Sequence, residues 1–360
     1  VYRVLVVDDS AVIRGLISRA FDGQADLNVV GTAANGEMAV AALKKHPADI
    51  VILDIEMPVM DGLTAIPLLK EVDPGVQIIM ASTLTQKNAD ISLRAMALGA
   101  TDYIPKPSSD QMVGANAFNT ELVDKVRALG ALARRRGERL PSGVSAPPKL
   151  ETVLAKKNIS LRPMPTFKPD VIAIGSSTGG PQALYEVIKI MGKDLAMPIV
   201  ITQHMPASFT KILAEHISRQ CNVVCAEGKD DDVLEPGKYY LAPGDFHMTF
   251  AKKATGIVVR LNKEQPENFC RPAVDPMLRS LLEVYGKKIL TVILTGMGQD
   301  GWKGGEAVVS AGGAVFAQDE TTSVVWGMPG AVAMAGICSS VMPLDEIGRA
   351  VRALATGGRA

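Results

Sequence analysis

Short apolar runs alternating with helical stretches recur in two rounds along this chain, and that alternation most narrows what it can fold into. In the first round, residues 3–7, 28–33, 49–53, 76–81 and 100–104 read as strands, and 11–20, 36–45 and 121–135 carry helical spacing. Apolar strands separated by helices predict a parallel sheet covered on both faces. A second round starts at Asp170, with strands at 171–175, 198–203, 288–295 and 314–318. Its helices fall at 181–191, 210–219, 274–285, 304–311 and 344–355. Between them, 238–243, 248–252 and 256–261 read as a β meander inserted into the α/β pattern. Two such rounds over 360 residues exceed one ordinary core and predict two domains.

The stretch 134–168 breaks the pattern. It is rich in Arg, Lys, Ser and Pro, with Pro141, Pro147, Pro148, Pro163 and Pro165 spread along it, and reads as a solvated tether. The expected division is a first domain over 1–125, a helix end and linker over 126–168, and a second domain over 169–360. Lys plus Arg and Asp plus Glu are equal at 38 each, so nothing draws the whole chain toward nucleic acid or an anionic membrane. No apolar run approaches the ~20 residues of a membrane span. The N-terminus opens as a strand rather than a signal-peptide layout, so a cytoplasmic protein without membrane insertion is expected. Cys221, Cys225, Cys270 and Cys338 show no metal-ligand spacing.

In open α/β sheets, ligands gather at the carboxyl ends of strands. Asp8 and Asp9 follow the first strand, Asp54 the third, and Lys106 the fifth. Converging carboxylates repel unless a cation joins them, and hard oxygen ligands suit Mg²⁺. Lys106 can hold a phosphoryl oxygen, and Ser82, ending the fourth strand, can bond another. Capping of the next helix would explain Asp8 or Asp9 singly but not the whole set. The set points to phosphoryl transfer onto a carboxylate.

The segments Val6-Val7-Asp8-Asp9-Ser10, Leu53-Asp54-Ile55-Glu56-Met57-Pro58-Val59-Met60-Asp61-Gly62 and Pro105-Lys106-Pro107 resemble response-regulator receiver domains. The resemblance covers roughly residues 1–125 and implies a flavodoxin-like fold. It implies Asp54 as phosphoacceptor, Asp8, Asp9 and Asp54 as Mg²⁺ ligands, Lys106 as phosphate contact, and Ser82 with Tyr103 as switch residues. Where the family often has Thr, this chain has Ser82, with Thr83 beside it.

In the second domain, Gly175-Ser176-Ser177-Thr178-Gly179 fits G-x-S-x-G between a strand and a helix, the setting of a nucleophile elbow. The same turn could hold a phosphate, although the glycine spacing is wrong for a dinucleotide fingerprint. A nucleophilic serine needs a base. Of four histidines, His46 falls in a polar loop and His216 within a helix; His204 follows the strand ending at Gln203, and His247 lies in a turn. Strand-end placement favours His204, with His247 second. Asp300, in the Gly-rich turn after the strand 288–295, is the candidate orienter, and that turn could aim backbone amides at an oxyanion. A helix cap is the other use open to Asp300, and Asp275 and Asp319 are acidic alternatives.

Ile174-Gly175-Ser176-Ser177-Thr178-Gly179-Gly180-Pro181, Gln203-His204-Met205-Pro206 and Leu294-Thr295-Gly296-Met297-Gly298-Gln299-Asp300-Gly301 resemble the catalytic domains of the chemotaxis glutamate methylesterases. So do Ala242-Pro243-Gly244-Asp245 and Arg271-Pro272-Ala273-Val274-Asp275. The resemblance spans about 170–355 and implies a Rossmann-like domain with Ser177 as nucleophile, His204 as base, Asp300 as orienter and the Met297 amide at the oxyanion. It further implies demethylation of glutamyl esters, and deamidation of particular glutamines, on methyl-accepting chemotaxis receptors. A chemotaxis histidine kinase would donate the phosphoryl group. A receiver joined to a nucleotide-binding or non-catalytic α/β module is the rival reading, separable by a nucleotide-binding assay.

Overall fold

A computed structural model of the chain describes residues 1–106, 115–138 and 159–357. The chain divides into two compact units, Val1–Val144 and Ser145–Ala360. In the first, β1 (Tyr2–Val7), β2 (Leu27–Ala33), β3 (Ile50–Asp54), β4 (Gln77–Ser82) and β5 (Asp102–Pro105) form one sheet in the order β2-β1-β3-β4-β5. Every pairing is parallel, and this is the flavodoxin-like order, which switches direction between β1 and β3. Val4–Val7 and Ile50–Leu53 are wholly buried, as strands covered on both faces must be.

Helices α1 (Ala11–Arg19), α2 (Gly36–Lys45), α3 (Gly62–Val72), α4 (Gln86–Ala97) and α5 (Ala115–Glu138) connect or follow these strands. Side chains of Ser10, Asn35, Asp61 and Thr85 accept from backbone amides three residues on and so begin α1 to α4. The run expected as helix end and linker is therefore composite. Residues 126–138 continue α5, 139–158 lie outside the described residues, and 159–168 run as coil. That coil is fastened to the second unit by Ile159 against its core and by Arg162 N–H donating to the Cys338 carbonyl at 2.8 Å.

Helix α5 locks onto the sheet through a buried charge pair. Lys125 Nζ lies 2.7 Å from Asp102 Oδ2 and donates to the Tyr103 carbonyl at 2.9 Å. Removing one partner of a buried pair leaves the other desolvated and alone. Lys125→Ala is expected to cost this unit about 3 kcal/mol, read from its own transition in urea unfolding of the full chain. A loss under about 1 kcal/mol would place the pair in the class of solvent-screened surface bridges.

The second unit is built on β6 (Val171–Ser176), β7 (Ile199–Gln203), β8 (Val224–Glu227), β9 (Lys238–Leu241), β12 (Ile289–Ile293), β13 (Ala314–Gln318) and β14 (Ser340–Met342), with β10 (His247–Lys253) and β11 (Gly256–Asn262) between. The sheet order is β14-β13-β12-β6-β7-β9-β8, all parallel. Its helices are α6 (Gly180–Met191), α7 (Ala207–Cys221), α8 (Val274–Tyr285), α9 (Trp302–Ser310), α10 (Met328–Met334) and α11 (Leu344–Thr356). The chain builds outward from β6 through β7, then returns to β12 on the other side, so the switch point lies at β6.

The expected three-stranded meander is not formed. β9 joins the parallel sheet, and only β10 and β11 pair as an antiparallel ribbon, whose Met248, Phe250 and Val259 face the core. Tyr239 and Leu241 are buried, which a central parallel strand requires and a surface meander does not.

Candidate functional site

At the carboxyl edge of the first sheet, Asp8 follows β1, Asp54 ends β3 and Lys106 follows β5. Ligand oxygens of Asp8, Asp9 and Asp54 all lie within 4.8 Å of one another. Asp8 and Asp54 are buried and Asp9 is exposed. Lys106 Nζ stands between the two buried groups, 2.6 Å from Asp8 Oδ2 and 2.7 Å from Asp54 Oδ1. Backbone amides bind here too: Ser10 N–H donates to Asp8 Oδ1, and Ile55 N–H donates to Asp54 Oδ1, the same oxygen that Lys106 meets. Burial raises the Asp54 pKa above the usual carboxylate value against the opposing pull of Lys106. Burial works to lower the Lys106 pKa, but Asp54 and Asp8 outweigh it and raise it. Three carboxylates facing one ammonium leave unbalanced negative charge on hard oxygens, and these residues fit a divalent ion such as Mg²⁺.

Ser82 is buried and accepts from Ser92 Oγ at 3.3 Å, while Thr83 is exposed and accepts from Asn88 Nδ2. Ser82, not its neighbour, therefore holds the interior position at the end of β4. Tyr103 is also buried, with Lys125 Nζ 5.2 Å from its ring centroid.

In the second unit, Ser177, His204 and Asp300 follow β6, β7 and β12, three adjacent strands at the switch point. Ser177 is half-buried, on a turn held by its own N–H to the Thr295 carbonyl at 3.0 Å and by Gly180 N–H to its carbonyl at 2.7 Å. Gln203 braces the same turn: its Oε1 accepts from Ser176 Oγ at 2.7 Å, and its Nε2 donates to the Ser177 carbonyl at 2.9 Å. A Cβ at position 180 would stand 1.9 Å from Gln203 Oε1, so a larger residue there would displace the side chain that braces the turn.

His204 Nε2 meets Asp300 Oδ2 at 2.7 Å, and its Nδ1 meets Cys270 Sγ at 3.3 Å. Asp300 is buried and richly supplied with donors. Oδ2 also accepts from Val274 N–H, and Oδ1 from Asp275 N–H, Gly301 N–H and Asn268 Nδ2. Burial acts to raise its pKa, but His204 and these amides prevail and hold it below the usual value. The amides of Val274 and Asp275 open α8, so the helix dipole adds to the effect. Asp300 thus does cap a helix, though it is α8. Asp275 caps the start of α9 through Gly304 N–H at 2.7 Å, and burial beside Asp300 pushes its pKa up. One carboxylate stays ionised beside His204 while its neighbour holds backbone.

His247, the second candidate base, is committed elsewhere. Its Nε2 donates to the Gln265 carbonyl at 3.0 Å, and its Nδ1 accepts from Ala273 N–H at 3.3 Å. Asp319 accepts from Thr322 N–H and Oγ1 and closes a local turn. His216 is buried within α7. Met297 lies in the turn whose Gly296 presses on the elbow: a Cβ there would come within 2.9 Å of Ser177 Cβ and 3.0 Å of its nitrogen.

Sequence reasoning missed Cys270, Asn268 and Gln203. Asn268 and Cys270 belong to the two-residue turn 267–270, closed by Glu267 N–H to the Cys270 carbonyl and Cys270 N–H to the Glu267 carbonyl. Both central residues have positive φ, as a type I′ hairpin turn requires. Asn-Gly would have signalled that turn; Asn268-Phe269 does not.

The CheB methylesterase family model matches residues 172–351, and the response regulator receiver domain model matches 4–116. A protein-glutamate methylesterase/protein-glutamine glutaminase of Azospirillum brasilense is 57% identical over 98% of this chain and 93% of its own. A protein of the same name, of the group 2 operon in Rhodospirillum centenum, is 56% identical over 98% and 94%. The crystal structure of the Thermotoga maritima CheB methylesterase catalytic domain superposes with a TM-score of 0.51 at 40% identity, covering 52% of this chain and 98% of that one.

Proposed function

The chain belongs to the CheB methylesterase family, and on that premise we propose that it is a phosphorylation-controlled serine hydrolase of protein glutamyl methyl esters. The 2.7 Å bond between His204 and Asp300 at the strand ends beside the Ser177 elbow carries the reading. With Nε2–H given to Asp300, Nδ1 is the nitrogen that takes the Ser177 proton. The serine oxygen attacks the γ-carbonyl, and amides of the Met297 turn hold the oxyanion. His204 returns the proton to the departing methoxide, methanol leaves, and water repeats the sequence to free the glutamate. A glutamine side chain enters the same cycle with ammonia leaving, which supports the glutaminase activity in the names of the relatives.

The substrates are methyl-accepting chemotaxis receptors and the phosphoryl donor is the chemotaxis histidine kinase. Asp54 receives the phosphoryl group, Lys106 holds one of its oxygens, and Ser82 and Tyr103 respond to it. Asp8, Asp9 and Asp54 would hold a Mg²⁺ ion, which would neutralise charge during that transfer. Among the described residues no helix is long and apolar enough to cross a membrane. The reading is tested by methanol release from methylated receptor membranes, with and without a small acyl-phosphate donor. No release by the folded protein from any methylated receptor would overturn it.

Cys270 yields a second check. Burial lowers the proton affinity of His204, but Cys270 and Asp300 raise it more, and the net shift is upward. A base must be neutral to accept a proton, so activity is lost as pH falls through that raised pKa. Cys270→Ala removes one raising partner. The acidic limb of the pH–kcat/KM profile is therefore expected to move to lower pH; an unmoved limb would mean that Cys270 does not tune the base.

A further inference from the structure

The turn that brings Cys270 to His204 also carries the most exposed large hydrophobic side chain among the described residues. Phe269 is 103% exposed, and its backbone sits at φ +63°. Both features are unfavourable. A side chain with a Cβ crowds the following carbonyl in the left-handed region, where a type I′ turn prefers glycine, and a wholly solvated ring gains nothing from burial.

The turn is nevertheless firmly held. Asn268 Nδ2 bridges Asp300 Oδ1 at 3.0 Å and Asp275 Oδ2 at 3.1 Å, Arg279 Nη1 grips Glu267 Oε2 at 3.0 Å, and Cys270 rests on the base. A rigid mount for a strained, solvated aromatic beside the reacting nitrogen points to a contact made outside the chain. The ester carbonyl sits at the end of a short side chain, so a substrate main chain must come down to the rim of the cleft for Ser177 to reach it. Phe269 directly precedes Cys270, whose Sγ meets His204 Nδ1 at 3.3 Å, and its side chain is wholly in solvent.

We propose that Phe269 is a specificity-determining residue that docks on an apolar patch of the substrate protein flanking the glutamyl ester. This rests on the methylesterase reading and names what the enzyme recognises beyond the ester. Substrate proteins with apolar residues beside the modified glutamate are then preferred over those with charged ones, because a buried ring is the contact.

The test compares wild type, Phe269→Gly and Phe269→Leu on methylated receptor membranes and on a small ester, N-acetyl-glutamate γ-methyl ester N-methylamide. With Phe269→Gly, kcat/KM on membranes should fall about tenfold or more, through KM, while on the small ester it changes less than about twofold. Phe269→Leu should recover part of the loss. The melting temperature of Phe269→Gly should be no lower than wild type, since glycine accepts the turn. Equal losses on both substrates would overturn the proposal and make the ring a support for His204. An unchanged membrane rate would overturn it too, as would sedimentation showing that the ring mediates only self-association. Failure of wild type on both substrates would instead sink the methylesterase reading, so the two failures are distinct.

Discussion

Ser177→Ala stops methanol release, with kcat expected to fall about 10⁴-fold or more. The size follows from what remains. Without the hydroxyl, His204 and Asp300 can at best polarise a water, and no acyl-enzyme forms to divide the reaction into two easier steps. Members of such a set act as a unit, so adding His204→Ala to Ser177→Ala should cost little more. The fold should not suffer, because the bonds that hold the elbow run through Ser177's backbone and through Ser176 and Gln203. The nearest rival nucleophile is explicit. Cys270 Sγ touches the same imidazole at 3.3 Å, so a second nucleophilic atom type lies within reach of the base. If Ser177→Ala kept more than about a hundredth of the wild-type rate while Cys270→Ala lost it, the nucleophile would be the cysteine.

That rivalry shows where sequence reading stops. Ser177, His204 and Asp300 were legible because each follows an apolar strand, and parallel strands of one sheet deliver their carboxyl ends to one edge. The same logic exposed Asp8, Asp54 and Lys106. Cys270 and Asn268 obey no such rule. They arrive on a loop whose path is set by the turn at 267–270, and a turn built on Asn268-Phe269 lacks the glycine that marks a type I′ hairpin. Strand β9 was misjudged for a related reason. Chain neighbours usually pair, and β9, β10 and β11 follow one another closely, but β9 instead fills the sheet between β7 and β8. Only its burial, invisible in a four-residue run, distinguishes the two. β14, three residues long, was too short to carry any periodicity.

Asp54→Asn is expected to abolish stimulation by an acyl-phosphate donor, and labelled donor should leave no more phosphoryl on the protein than a sample lacking the donor. An amide cannot attack phosphorus to form the mixed anhydride, while its carbonyl oxygen can still accept from Lys106 and from Ile55 N–H, so the pocket keeps its shape. Phosphorylation replaces the single negative charge of the Asp54 carboxylate with a phosphoryl group of about −2, a gain of roughly one negative charge, where Lys106 already serves Asp8 at 2.6 Å and Asp54 at 2.7 Å. Once Asp54 is an acyl phosphate its negative charge lies on phosphoryl oxygens, so the bonds of Lys106 are expected to be shared anew at the end of β5. Removing one of three crowded carboxylates relieves repulsion instead, so Asp54→Asn should melt no lower than wild type in metal-free buffer. Ser177→Ala, by contrast, should take up label as wild type does, since its defect lies in the other unit. Stimulation that survived in Asp54→Asn would move the phosphoryl group to Asp8, the other carboxylate within reach of Lys106.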